Sequence, residues 1–460
     1  MSFQAQLERF RERTAMYRGH YQALILPGTR QHITAALLIG GLEPQRVAFL
    51  LTEQTRDMPE KVETELANVT TALSHPPKDW LVLPGDHATT DTVYQGIKQV
   101  LEHWHDVPPT AIAVDVTGGF ALMSVGIAKA AHVLRLTTIY ILSDFHQETN
   151  RVVPGTQRLE FPPDPYTVFG DLEADEARRL YRTHDYEGAQ RIFANLGQRV
   201  PAPDNQPYRA YALLAEAYAA WDVFAWDKAA AALAALHTHP FPADLEPYDK
   251  RLQAQFIALQ QLTSDNEQWE KKPTLTLLRN PTSVLPLLGT LYANAQRREA
   301  QGRYDVAALF SYRCLELMSQ HRLATWGLLT DQPDYRPLRR RIPDLDDRYR
   351  GVEERIFDYS RGLPHWKSGI SLFNGYMLLD ALHDPLVQGV ALEQIRERTR
   401  ARNQSMLAHG FRLITSAEYE PFRAVVEDIL NRFFVVLKDE RPHWEQTYQF
   451  VCPFAHEAEE

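Results

Sequence analysis

The sequence predicts a multi-domain chain, with a doubly wound α/β domain in front and an all-α region behind it. Three observations predict this. Five short, β-rich apolar runs fall between residues 21 and 144, with segments of helical composition between them. Beyond about Asp171 such runs stop and helical composition takes over. The length, 460 residues, exceeds one ordinary domain. The expected divisions are 1–165, a helical spacer at 166–270, and a final helical domain at 271–460.

The five runs are YQALILPG (21–28), RVAFLLT (46–52), DWLVLPG (79–85), TAIAVDVT (110–117) and TTIYILSD (137–144). They are nearly continuous apolar stretches, as expected of strands buried on both faces of a parallel sheet. PEKVETELANVTTAL and TDTVYQGIKQVLEHW read as connecting helices, giving a Rossmann-like order. Three strands end in a Gly turn: LPGT, LPGD and DVTGG. Ligands of such sheets sit beyond the carboxyl ends of the strands. Gly28, Gly85, Gly118 and Gly119 would let backbone N–H groups approach a ligand closely. Thr29, Gln31, Thr117 and Ser124 are candidate hydrogen-bonding partners. The plainer reading is that each Gly only ends its strand. The first turn has a single Gly, so a standard dinucleotide fingerprint is absent.

In the middle, DLEADEARRLYRTHDYEGAQRIFANL reads as two helices joined at a His-Asp-Tyr turn, and AYALLAEAYAAWDVFAWDKAAAALAALH continues in that style. No sustained repeat period accompanies them, so a solenoid is not expected. VPAPDNQP (200–207) and HPFPADLEP (239–247) read as loops. GRYDVAALFSYRCLELMSQHRL (302–323) spaces its apolar residues for a core helix. RPLRRRIPDLDDRYR (336–350) is a charge run, read as a solvated face or as a guide for RNA phosphates. Within ALEQIRERTRARNQSMLAHGFRL the composition is helical and Gly410 stands where a helix commonly ends. On one continuous helix Arg402 and His409, seven apart, would share a face.

A net charge of −10 argues against a protein that coats nucleic acid wholesale, while allowing a local basic cleft. Two cysteines, Cys314 and Cys452, stand far apart in no metal-like spacing, which fits a reducing compartment. The N-terminal stretch is charged and lacks a signal core, and no run approaches the roughly 20 apolar residues of a membrane helix. A cytoplasmic protein is the expectation. The sequence carries no H-E-x-x-H, C-x-x-C, P-loop or G-x-S-x-G motif, and no metal ligand is assigned.

DVTGGFALMSVGIAKAA (115–131) ends a strand in Thr-Gly-Gly and opens a helix of small residues at Met123-Ser124. It resembles the CARF sensor domains of type III CRISPR ancillary proteins, whose last ligand-binding strand-turn-helix carries Asp-x-Thr-Gly-Gly…Met-Ser. Asp115, Thr117, Gly118, Gly119, Met123 and Ser124 match that pattern, and LPGTRQHIT (26–34) resembles the first ligand loop. Many relatives carry a Lys after the Gly-Gly turn, where this chain has Phe120-Ala121. The resemblance covers roughly the first 150 residues. It implies a cyclic oligoadenylate activator, tetra- or hexa-adenylate, bound by Gly28, Thr29, Gln31, Gly85, Thr117, Gly118, Gly119, Met123 and Ser124 across a homodimer. RNQSMLAHG (402–410) resembles the other half of such proteins, the HEPN ribonucleases, with Arg-x(4–6)-His and Asn after the Arg. Similar Arg–His spacings at Arg13 with His20, and at Arg178 or Arg179 with His184, lack the Asn and the Gly.

Together the two ends are similar to the CARF–HEPN ancillary ribonucleases of type III-A (Csm) CRISPR systems. The resemblance implies an endoribonuclease of single-stranded RNA that needs no cofactor. Its chemistry suits the residues. A 2′-hydroxyl attacking its own phosphate needs a group to help deprotonate it and a cation for the growing phosphate charge. His409 is the candidate base, Arg402 the phosphate fork and Asn403 an orienting hydrogen-bonding group, with 2′,3′-cyclic phosphate and 5′-hydroxyl ends as products. The alternative function is a ligand sensor whose helical part only recruits or regulates a partner.

Overall fold

The computed structural model describes residues 1–69, 80–83, 86–149, 151–163, 168–271, 273–357, 359, 361–365 and 369–454. Contacts divide the chain into two compact units, Met1–Thr167 and Val168–Glu460.

In the first unit six strands form one sheet: β1 (Ala23–Pro27), β2 (Arg46–Leu50), β3 (Leu81–Leu83), β4 (Ile112–Asp115), β5 (Thr137–Leu142) and β6 (Arg158–Glu160). Their order is β3-β2-β1-β4-β5-β6. The first five are parallel and β6 runs antiparallel to β5. Among the described residues, helices α1 (Phe3–Thr14), α2 (His32–Leu42), α3 (Met58–Ala67), α4 (Thr90–His103) and α5 (Ala121–Leu134) accompany the sheet. The two-residue period of a strand sends alternate side chains to opposite faces. Leu24 and Leu26 therefore join Leu7, Phe10, Leu38 and Val62 on one side. Ala23 and Ile25 join Val93, Ile97 and Ile127 on the other. Both faces being covered explains the unbroken apolar runs, since each buried Leu or Ile contributes about 1.5–3 kcal/mol. The winding reverses between β1 and β4, the topological switch at which doubly wound sheets bind ligands.

Each of the five predicted runs contains a strand. Residues 70–79, 84 and 85 lie outside the described residues, and with them Gly85 and the ends of two predicted segments. The sixth strand was not predicted: Arg158-Leu159-Glu160 is short, and only Leu159 is partly covered.

The second unit is helical: α6 (Asp171–Arg182), α7 (Tyr186–Arg199), α8 (Gln206–Asp222), α9 (Trp226–Thr238) and α10 (Asp249–Glu270) come first. The His-Asp-Tyr turn joins α6 to α7: His184 adopts φ +63°, and Asp185 accepts the Gly188 N–H at 2.9 Å to cap α7. Then follow α11 (Leu275–Arg279), α12 (Pro281–Ala300), α13 (Tyr304–Thr325), α14 (Arg336–Arg341), α15 (Leu345–Phe357), α16 (Leu372–Ala381), α17 (Leu392–Asn403), α18 (Ser416–Leu437) and α19 (Arg441–Tyr448). Helix α13 packs against α12, α16, α17 and α18. That central place accounts for its burying Ala307, Ser311, Cys314, Leu315 and Met318 on several sides. The charge run at 336–350 is largely self-paired, through Arg339 with Asp346, Arg348 with Asp344 and Arg350 with Asp347.

The chain's end binds back onto α6–α8. The Phe450 ring lies 4.0 Å from that of Tyr218, nearly parallel, with the Arg297 guanidinium 3.8 Å from its centroid. Tyr181 donates to the Val451 carbonyl at 2.7 Å, and Val451 N–H donates to the Tyr218 hydroxyl at 2.9 Å. No helix of the described residues is long and apolar enough to cross a membrane.

Candidate functional site

Among the described residues, those singled out by sequence lie at two places: the turns after β1 and β4, and the end of α17 with the loop that follows it.

At the sheet, the two turns meet. A Cβ on Gly118 would stand 3.1–3.4 Å from the Thr29 side chain, so the close approach of the turns uses the missing side chain. Gly119 has φ +98°, a conformation L side chains rarely adopt. A Cβ there would lie 2.7 Å from the Met123 sulfur, which is how the buried Met123 supports the turn. The hydroxyls build the turns. Thr117 Oγ1 accepts the Ile141 N–H at 2.7 Å, Ser124 donates to the Gly118 carbonyl at 3.1 Å, and Thr29 Oγ1 accepts the Gln31 N–H at 3.1 Å. Among the described residues neither the Gly118 nor the Gly119 N–H has a partner. Gln31 is exposed at the same place. Gly28 is different: it is buried, its N–H bonds to Leu50, and a Cβ would fall 2.4 Å from Thr55 Oγ1. Its smallness answers to packing between β1 and the turn after β2.

Asp115 is the buried anchor of the second turn. Its Oδ1 accepts the Thr117 N–H at 2.8 Å, and burial pushes its carboxyl up to about 6. Because the folded value lies above the ordinary 3.8, the folded state holds this proton more tightly than the unfolded chain does. Stability is then lost as pH rises from about 4 through about 6. An Asn accepts the same N–H without a charge. Asp115→Asn is expected to stabilise the α/β unit by on the order of 1–3 kcal/mol at pH 8 and by much less at pH 4. Urea unfolding at both pH values checks this; a gain that ignores pH would contradict it.

At the other end, the structure corrects one expectation. Helix α17 stops at Asn403, so Arg402 and His409 do not share a face of one continuous helix, and Gly410 does not terminate it. Residues 404–412 instead fold back on themselves. The N–H groups of Ser405, Gly410 and Met406 bond to the carbonyls of Arg402, Ser405 and Arg412 at 3.0, 3.1 and 2.9 Å. Ser405 and Arg412 form a bridge. His409 returns by this route, its N–H bonding to the Asn403 carbonyl at 3.2 Å. Gly410 is required for a close approach, since a Cβ would lie 1.9 Å from the Gln404 carbonyl oxygen. Arg402, Asn403 and His409 are linked through the His409–Asn403 backbone bond and the Arg402–Asn403 side-chain bond, not along one helix face.

His409 and Asn403 are exposed and Arg402 is half-buried. Arg402 Nη1 donates to Asn403 Oδ1 at 3.1 Å, and its guanidinium lies 4.4 Å from the Tyr312 ring centroid. Arg398 Nε, Thr399 Oγ1, Arg402 Nε and Ser405 Oγ are buried without partners among the described residues, all within the last turns of α17 and its cap. Buried polar atoms are rarely left so, and a cluster of them calls for an explanation. The competing Arg–His pairs are spoken for. Arg13 donates to the Gln157 carbonyl, while Arg178 and Arg179 pair with Asp175 and Glu176. Around the Arg402 loop, Met406, Leu407, Phe411 and Leu413 are 50–93 % exposed. Among the described residues no group of three or more His, Cys, Asp or Glu is placed to hold a metal ion. A cleft of about 1090 Å³ lies elsewhere in the helical unit, beside His184, Asp222, Arg298 and Arg303, and contains none of the predicted site residues.

Comparison with known proteins points the same way. A family model described as the Csm6 HEPN domain matches residues 279–433, which include the Arg402 loop and Tyr312. One described as the Csm6 6H domain matches residues 169–262. The CRISPR system endoribonuclease Csm6 of Thermus thermophilus is 25% identical over 427 residues, covering 88% of this chain and 83% of that protein. A solved structure, Enterococcus italicus Csm6 bound to cyclic hexa-2′-fluoro-hexa-dAMP, aligns with a TM-score of 0.50 at 11% identity, over 94% of this chain and 98% of that one. An α/β domain with its glycine turns at the switch point, followed by a HEPN helical domain, defines the CARF–HEPN class of CRISPR ribonucleases. Within that class, the chain is similar to the Csm6 endoribonucleases, whose HEPN and 6H domain models it matches.

Proposed function

We propose that this chain is a cytoplasmic, cyclic-oligoadenylate-activated endoribonuclease that cuts single-stranded RNA without a metal, in CRISPR antiviral defence. Arg402, Asn403 and His409 form the catalytic set. The observation that carries this reading is the state of Arg402: a cation with no carboxylate among the described residues, beside an exposed His409 that the loop pins to the Arg-Asn pair. His409 takes the proton of the 2′-hydroxyl, the Arg402 fork meets the charge building on the phosphate oxygens, and Asn403 orients that fork. The ends left are a 2′,3′-cyclic phosphate and a 5′-hydroxyl.

The activator is a cyclic oligoadenylate, tetra- or hexa-adenylate, held by the turns at the sheet's switch point. The Gly118 and Gly119 N–H groups, Thr29, Gln31 and Thr117 supply donors there, the Ser124 hydroxyl oxygen can accept, Gly28 and Met123 shape the turns, and Gly85 belongs to the proposed set on sequence alone. The Csm6 structure from Enterococcus italicus holds a ligand of this chemistry. A homodimer doubles both sites. In support, Leu122, Val125 and Val133 leave an exposed apolar stripe on α5, and the Arg402 loop exposes another. To act as a switch, the ligand must bind the active arrangement more tightly than the resting one.

The test is a labelled RNA incubated with the protein, EDTA and each ring size in turn, with the product ends analysed. Cleavage that appears only with a cyclic oligoadenylate and leaves cyclic phosphate is the expected result. Cleavage abolished by EDTA, or 5′-phosphate products, would refute the chemistry.

A further inference from the structure

Among the described residues Arg402 stacks on an aromatic face and has no carboxylate partner, and the reason lies on α13. Tyr312 presents its half-buried ring to the guanidinium. A flat face holds the plane of the fork while leaving its N–H edges free, which a carboxylate would occupy. A carboxylate is nonetheless close. Glu316 lies one helical turn from Tyr312 on α13, a neighbouring position on the helix surface. Both Glu316 and Arg402 act on the Tyr312 phenol: burial raises it most, the Glu316 charge raises it further, and the Arg402 charge opposes them. Glu316 is engaged elsewhere, by Arg313, which also donates to Gln320 at 3.2 Å.

We infer that Tyr312 and Arg313 are positioning residues for RNA cleavage: Tyr312 fixes the plane of Arg402, and Arg313 occupies Glu316 so that this carboxylate does not capture the fork. The inference rests on the proposed catalytic role of Arg402. It assigns work to residues that touch neither substrate nor scissile bond. Each residue acts through Arg402, so its loss appears in kcat more than in KM.

The experiment measures single-turnover and steady-state cleavage by the full-length activated protein. Arg402→Ala is the reference and should abolish most activity. Tyr312→Phe keeps the ring and should retain activity. Tyr312→Leu keeps bulk without the π face and should lose kcat about tenfold, the scale of a desolvated cation–π contact. Arg313→Gln frees Glu316 and should lower kcat severalfold, and Arg313→Gln/Glu316→Gln should restore it. That sign reversal in a double-mutant cycle is something lost packing does not produce. Thermal melting of each variant identifies any that fails to fold, and the Arg313/Glu316 cycle still decides the case if Tyr312→Leu is one of them. Wild-type kcat in Tyr312→Leu, or no rescue by Glu316→Gln, overturns the inference while Arg402→Ala remains inactive. Full activity of Arg402→Ala overturns the catalytic reading, and this inference with it.

Discussion

Replacing His409 with alanine is expected to lower activated RNA cleavage on the order of 10²-fold or more, the usual worth of a positioned acid–base group. The expectation comes from the loop. His409 is exposed, but its backbone is fastened to Asn403, and Asn403 in turn accepts from Arg402. One short segment thus carries an imidazole and a guanidinium on a shared framework, as the proposed proton-accepting and phosphate-binding roles require. The pairing matters because 2′-hydroxyl attack moves a proton and builds charge on phosphate in the same event. The substitution removes an exposed side chain that supports no core residue, so the melting temperature should hardly move. Binding of cyclic oligoadenylate should persist, because its proposed site lies in the other compact unit. Arg402→Lys should also fall well below wild type, since an ammonium cannot offer the planar, two-pronged contact. The readout is the rate of cut-end formation under saturating activator, with Arg402→Ala made in parallel to expose contaminating nuclease. A His409→Ala protein that cuts at the wild-type rate while the Arg402→Ala preparation does not would remove His409 from the mechanism.

Several features were open to sequence reading because their physical cause is local. Strands β1, β2 and β4 are covered on both faces, so nearly every residue in them is apolar. Gly119 needs a positive φ and Gly118 a close neighbour, and both demands leave a visible Gly-Gly. The His-Asp-Tyr turn shows itself through a capping Asp. Other features depend on partners far away in the chain. The residues after Asn403 are Gln, Ser, Met, Leu and Ala, none of which stops a helix. What ends α17 is the bond from Met406 N–H to the Arg412 carbonyl, the bridge of Ser405 with Arg412, and the burial of Ser405 and Ile414. The C-terminal strap is unreadable for the same reason. Phe450 and Val451 acquire meaning only against Tyr218 and Tyr181, more than 200 residues away. Tyr312 sits in an apolar helical pattern, and its stacking on Arg402 depends on how α13 meets α17.

The second large effect is expected at Gly410, where the true loop geometry makes a demand that a helix C-terminus would not. A glycine ending a helix usually answers to a left-handed backbone, and an asparagine can often replace it. Gly410 has no positive φ, and its constraint is space. Even the single methyl of alanine would meet the Gln404 carbonyl oxygen at 1.9 Å and its carbon at 2.4 Å. Those atoms are backbone at the end of α17, so no side-chain rotation relieves the contact. The loop must open, and the bonds at risk are Gly410 N–H to Ser405 and His409 N–H to Asn403. Displacing His409 by an ångström is enough to cost about 10²-fold in rate. Gly410→Ala is therefore expected to cut RNA on the order of 10²-fold more slowly, nearly as slowly as His409→Ala. The core of α13, α16 and α18 does not depend on this exposed loop, so the main unfolding transition should shift by only a few degrees. Gly410→Asn should fare no better than alanine, which separates a demand for space from a demand for a left-handed backbone. Single-turnover cleavage with circular dichroism melts on the same samples provides the measurement. If Gly410→Asn were active while Gly410→Ala was not, the site would behave as an ordinary helix end, and the fold-back that delivers His409 to Arg402 would have to be abandoned.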